Sequence, residues 1–114
     1  MTAAPAFVVS PFQGVSNGSV KIVAGAASLT TRVFLDPGQS TENPNLRQIR
    51  IANLSTTDDV FIAWGDSTIT TTTLTGMAVP HGDVEVLTIG LATHLAVITG
   101  GAAVTLDVTP GGGV

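Results

Sequence analysis

Two histidines and eight acidic residues are the main side chains here that could hold a metal or move a proton near neutral pH; cysteine and tyrosine are absent. A catalytic zinc needs three well-placed protein ligands and an open position. His81-x-Asp83 supplies two at most, with Glu85 next along the chain, and His94 stands in a different segment. The spacing predicts an exposed turn residue at His81 and a strand start at His94, not a metal centre. Glycosidase chemistry asks for two carboxyls about 5–9.5 Å apart across a cleft. Asp58 and Asp59 are adjacent, and Asp36, Asp66 and Asp83 each sit beside Gly or Pro, where aspartate serves the backbone of a turn. No Asp-x-Asp-x-Asp calcium loop, nucleophile elbow, phosphate loop or dinucleotide fingerprint is written in the chain. Gly111-Gly112-Gly113 follows a strand and opens no helix. The expectation is a protein with no catalytic residue, no metal site and no cofactor.

What remains is binding. Trp64, the sole tryptophan, closes a run that is apolar on both faces and is expected in the core. Thr70–Thr73 would suit ice or sugar only within a Thr-x-Thr lattice repeated over several strands, which is missing. Arg47 and Arg50 are two of only four cations, and their separation of three places them on opposite faces of a strand. One is expected to pair with Glu42 or Asp107, and the other to cross an interface, where arginine is enriched.

The elements that must position these residues follow a β cadence. Strands are predicted at 19–24, 28–35, 46–54, 60–64, 68–75, 83–89, 94–99 and 103–109. Asp36-Pro37-Gly38, Asp58-Asp59, Gly65-Asp66, Pro80–Asp83, Gly90 and Gly100-Gly101 punctuate them. The threonine run 68–75 reads as a β-branched strand with an exposed hydroxyl face, and Pro110 with three glycines is expected to end the last pairing. No 3.6-residue stripe persists over a helix-length window. The fold class is therefore all-β: a two-sheet sandwich of about eight strands, jelly-roll-like or immunoglobulin-like, with the jelly roll preferred. Residues 1–18 are read as an extended N-terminal arm, the alternative being a disordered leader, because Phe7, Val8, Val9 and Phe12 make an apolar cluster unusual in a floppy tail. Residues 19–110 form the sandwich domain and 111–114 a Gly-rich tail.

At 114 residues the chain is long enough for a core without disulfides. Only 11% of its residues are charged, against a usual value of about 25%. So few charges cannot coat a small domain, so some neutral Thr/Ala/Gly surface is expected against a neighbour, in an oligomer or larger assembly; the alternative is a monomer coated in Thr and Ser. A net charge of −4 and four scattered cations exclude a phosphate-neutralising stripe, hence nucleic acid. Met1–Gly14 has no basic n-region and is broken by Pro5 and Pro11, unlike a signal peptide, so the Asn17 and Asn53 sequons carry no meaning. The apolar window 84–104 contains Glu85, His94 and Gly100-Gly101 and reads as two strands, not a membrane span.

The segments "RIANLSTTDDVFIAWG", "MAVPHGDVEVLTIG" and "THLAVITGGAAVTLDVTPGGGV" resemble small virion proteins of tailed-phage heads. The shared pattern is a strand ending in Asn53, an apolar strand ending in Gly65, a Pro80–Gly82 turn, Ala96-Val97 leading to Gly100, and a closing strand before Pro110-Gly111. The resemblance covers about residues 47–114. It implies a β-sandwich cement or decoration protein on the capsid surface, made in the bacterial host cytoplasm. Its partners would be the major capsid protein and itself, as a homotrimer at local three-fold sites, with neither nucleic acid nor membrane among them. Phe7, Val8, Val9, Phe12, Arg47 and Arg50 are the candidate interface residues. A receptor- or carbohydrate-binding module of a tail fibre or head spike is the alternative; one Trp and no Tyr speak against sugar stacking.

Overall fold

The structure, a computed structural model, describes residues 13–14, 18–33 and 47–112. Phe7, Val8, Val9 and Phe12 lie outside the described residues, as do Asp36 and Glu42. Nine strands and no helix make up the described part: β1 Gln13–Gly14, β2 Val20–Ala24, β3 Leu29–Arg32, β4 Arg47–Asn53, β5 Val60–Gly65, β6 Met77–Val79, β7 Val84–Thr88, β8 His94–Thr99 and β9 Val104–Gly112. They form two antiparallel sheets. In the first, hereafter sheet A, β9 lies between β4 and the β1/β2 flank, and β7 is the far edge; sheet B has the order β3-β8-β5-β6.

The pairings nest: β5 with β6, β4 with β7, β3 with β8 and β2 with β9. From β2 to β9 the chain is thus one long hairpin whose tip is the β5–β6 connection. The hairpin rolls on itself, and the β4–β9 and β5–β8 ladders seal the roll into a two-layer sandwich. Alternation fixes the inner faces. Ile22, Ile49, Ile51, Leu106 and Val108 of sheet A meet Val60, Ile62, Val79, Leu95 and Val97 of sheet B, all buried in one cluster. Cutting back one of them, as in Leu106→Ala, costs about 2–5 kcal/mol at such sites.

The β cadence of the sequence holds for seven of the expected strands; β1 and β6 are strands it did not predict, and two further readings change. The segment 68–75 is not a strand. The Asp66 carboxylate accepts from both the backbone N–H and the hydroxyl of Thr68 (2.9 and 2.6 Å), which turns the chain back at the end of β5. Side-chain bonds to nearby backbone compete with the ladder here and win. The threonines then cross the outer face of sheet B: the Thr30 hydroxyl donates to the Ile69 carbonyl (2.6 Å), and the Thr71 N–H donates to the Ser28 hydroxyl (3.1 Å). Ala96, which points outward from β8, is buried.

The second change is at the C-terminal end, where pairing continues through Pro110 to Gly112, against both β4 and β1. On the β1/β2 flank no described residue faces Pro110, because β2 stops pairing at Val108 and β1 takes over at Gly111. A residue without an N–H is tolerated at such a break.

Candidate functional site

Among the described residues no group of three or more His, Asp or Glu side chains is arranged to hold a metal ion. His81 is an exposed turn residue and His94 opens β8, as the sequence indicated. The partner of His81 is Asp59, not Asp83: Nδ1 lies 3.0 Å from the Asp59 carboxylate, and the His81 backbone N–H donates to the same oxygen at 3.0 Å. Those backbone and ring bonds hold the Asp59 carboxyl below the usual carboxylate range. The pair pins the β6–β7 turn to the β4–β5 loop, and no nucleophile is hydrogen-bonded to it among the described residues. Nearby, the Glu85 carboxyl is pushed up by hydrogen bonding to Asp83 and by that neighbour's charge.

Beneath these loops lies a residue whose role sequence reasoning missed. The buried Asn53 side chain donates to the carbonyls of Asp58 (3.1 Å) and Val79 (3.0 Å) and accepts from the Ser55 N–H (2.9 Å). Its backbone N–H donates to the Asp83 carbonyl (2.9 Å), and its carbonyl accepts from the Gly82 N–H (3.1 Å). The second bond follows from the turn itself. Asp83 N–H donates to the Pro80 carbonyl, and Gly82 takes the positive φ of 73° that a third turn position of this kind reserves for glycine. The sequence signal was a strand ending in Asn opposite a Pro-x-Gly turn. Asn53 is structural, and as a sequon residue it is sealed from solvent.

Among the described residues, several exposed aliphatic side chains gather on the outer face of sheet A. Register builds it row by row: Val23 beside Thr105, with the Leu54 N–H on the Thr105 carbonyl; Lys21, Asp107, Ala52 and Val84; Thr109, Arg50 and Val86; then Gly111, Gln48 and Thr88. Val23 (58% exposed), Leu54 (52%), Val84 and Val86 are open to solvent on this face. Its polar groups are largely tied to one another: Lys21 to Asp107 at 3.2 Å, Ser19 to Thr109 at 2.6 Å, and the Gln48 amide to the Thr88 hydroxyl at 3.2 Å. Arg50 stands between Thr109 and Val86 and makes no ion pair among the described residues. The pairing partner of Asp107 is therefore Lys21, where the sequence had offered an arginine. Arg47 is buried on the opposite side of β4, in line with Ile49 and Ile51, so the two arginines do face opposite ways. Trp64 packs on the core but stays partly exposed at one margin of sheet B.

No protein-family model matches the chain, and no curated protein matches it. One solved structure, from "Bacillus endospore appendages form a novel family of disulfide-linked pili", contains a similar chain. The two are 16% identical over 82% of this chain and 84% of that one, with a TM-score of 0.47. At that score the likeness is one of general shape.

Proposed function

We propose that this chain is a non-enzymatic structural protein of a phage virion. In this reading it is a cement or decoration subunit that binds the outside of the capsid through the outer face of sheet A and stabilises the shell. The observation that carries the proposal is that face: four solvent-exposed aliphatic side chains on one side of a sheet, in a chain with few charges. Apolar surface left open on a small domain marks a place where something docks. The resemblance over residues 47–114 supplies the partner, the major capsid protein, and the homotrimer at local three-fold sites. The nested hairpin supports the jelly-roll winding expected of such a protein.

The physics is linkage. A subunit that binds assembled shell and not free capsomers stabilises the shell by mass action. The sandwich is rigid and can span a boundary between capsomers without bending. Arg50, set among Val86 and Thr109, is placed to give the contact its direction by meeting a carbonyl or carboxylate of the shell. The test is addition of purified protein to undecorated heads, followed by sedimentation and thermal disruption. Saturable binding that raises the disruption temperature is expected, with Val86→Lys folding normally but failing to bind. Wild-type protein that never co-sediments with heads overturns the proposal.

A further inference from the structure

The β7 edge of sheet A is open and carries few of the usual guards. Antiparallel ladders bond through every second residue. The Asn53 N–H donates to the Asp83 carbonyl and the Ile89 N–H to the Arg47 carbonyl, so in the register between them Glu85 and Leu87 spend their backbone groups on β4. Val84, Val86 and Thr88 therefore turn their N–H and C=O groups away from β4, and among the described residues no strand lies beyond them. Edges of this kind are blunted by lysine, proline, a bulge or an inward charge. β7 has no Lys and no Pro, and its register runs unbroken. Its inward acid, Glu85, is taken up by a hydrogen bond with Asp83. By contrast β2, the five-residue strand on the opposite flank, carries Lys21, and β6 is only three residues long.

The occupant follows from where the chain enters this sheet. β1 and β7 are its opposite edges, and Gln13 stands opposite Gly112 at the end of the β1 lane. Twelve residues precede Gln13. Within them Pro5 and Pro11 bracket Ala6-Phe7-Val8-Val9-Ser10, five uncharged residues that all have an N–H and match the five of β7. Phe7, Val8 and Val9 are of the aromatic and β-branched types that suit a strand. Strands lie about 4.8 Å apart, so one added outside β7 sits four spacings, about 19 Å, from β1. Ser10, the nearest of the five, is three Cα steps from Gln13 and reaches about 11 Å at most. The segment is too closely tethered to serve its own β7 and is free to serve that of another copy.

We infer that residues 6–10 of one copy add as an edge strand to β7 of the next, head to tail. Set centre to centre, Val8 lies beside Val86 and extends the outer face of sheet A. Phe7 and Val9 then turn inward and cover the half-buried Leu87 at the margin of the core. Such a contact joins two different surfaces and closes as a ring. The inference rests on the homotrimer of the reading above, which makes it a ring of three, and not on the capsid as partner.

The chain contains no cysteine, so an engineered pair reports cleanly. Full-length protein carrying Val8→Cys and Val86→Cys is oxidised and run on a denaturing gel without reductant, beside sedimentation of wild type and Val8→Pro. Opposed residues in such a ladder have Cα atoms about 5.5 Å apart, within disulfide range. Covalent trimers that revert to monomer with reductant are expected, and neither single-cysteine variant should give them. Wild type should sediment as a trimer. Val8→Pro, which removes an N–H outside the sandwich domain, should need at least about tenfold more protein to assemble, with unchanged circular dichroism. A disulfide that closes within one chain, a Val8→Pro that assembles as wild type does, or a wild type that stays monomeric at every concentration overturns the inference. Trimers that depend on Val8 but never bind heads would overturn the capsid reading and leave this one standing; head binding by a Val8→Pro that trimerises as wild type does would do the reverse.

Discussion

The two outer faces of the sandwich have the same origin and opposite fates. Each is the outward half of an alternating sheet. On sheet B the chain folds its own 66–76 segment across the face, so that Ala96 and Thr71 are buried and Thr30 and Ser28 are tied to the roof. On sheet A no described segment crosses, and Val23, Leu54, Val84 and Val86 stay in water. The roofed face contributes to the stability of the monomer. The four aliphatic side chains exposed on sheet A add little to it.

Substitutions at matched positions break or sharpen this contrast. The largest effect is expected under the roof. Ala96→Asp buries an unpaired charge and should cost about 3–5 kcal/mol in urea unfolding; a loss below 1 kcal/mol would mean that the roof lifts easily. Asn53→Ala comes next. It strips partners from the Val79 and Asp58 carbonyls and the Ser55 N–H, at about 1–3 kcal/mol for a buried group left unsatisfied. Gly76→Ala tests the seating of the roof, because a Cβ there would meet Thr71 Oγ1 at 2.7 Å and Phe61 Cβ at 2.9 Å. Overpacking of that kind costs about 1–3 kcal/mol, read as a lower urea midpoint at unchanged slope. On the bare face, Val86→Lys should move stability by no more than about 0.5 kcal/mol while abolishing attachment to heads.

The smallest effect lies at the margin of the bare sheet. The Glu85 carboxyl, raised by Asp83, holds its proton more tightly folded than unfolded. Its favourable contribution is present in acid and is lost as pH rises through the raised value. Glu85→Gln should therefore raise the melting temperature slightly at neutral pH and leave it unchanged in acid; the reverse order would show that Asp83 and Glu85 do not repel. Asp59, lowered by His81, runs the opposite way: its contribution is full above its ordinary value and fades as pH falls through the depressed one.

Much of the fold was legible because alternation is local. The patterns of β2, β4 and β9 needed only their own residues, and a buried face with period two follows from them, while β5 was legible as a run apolar on both faces. The Pro80–Asp83 turn and the ends at Asn53 and Gly65 were likewise readable from residue type. The threonine run misled because β-branching favours a strand while hydroxyls favour local bonds, and Asp66 decides between them through Thr68. Pro110 misled because its tolerance depends on where two other strands hand over. The candidate interface was half legible. Arg50 does stand on the open face, but Val23, Leu54, Val84 and Val86 come from three regions of the chain and become neighbours only through the ladders.

The sequence alone determined the all-β class, seven of the strands and most of the turns between them, the poverty of catalytic groups, and the neutral character of the surface. Each of these depends on residue type and spacing over a few positions. Only tertiary structure decided the nesting of the hairpin, the five bonds of Asn53, the roof over sheet B and the exposure of Val23, Leu54, Val84 and Val86 on sheet A. These join residues separated by tens of positions in the chain, and their energies come from packing and pairing that no single segment contains.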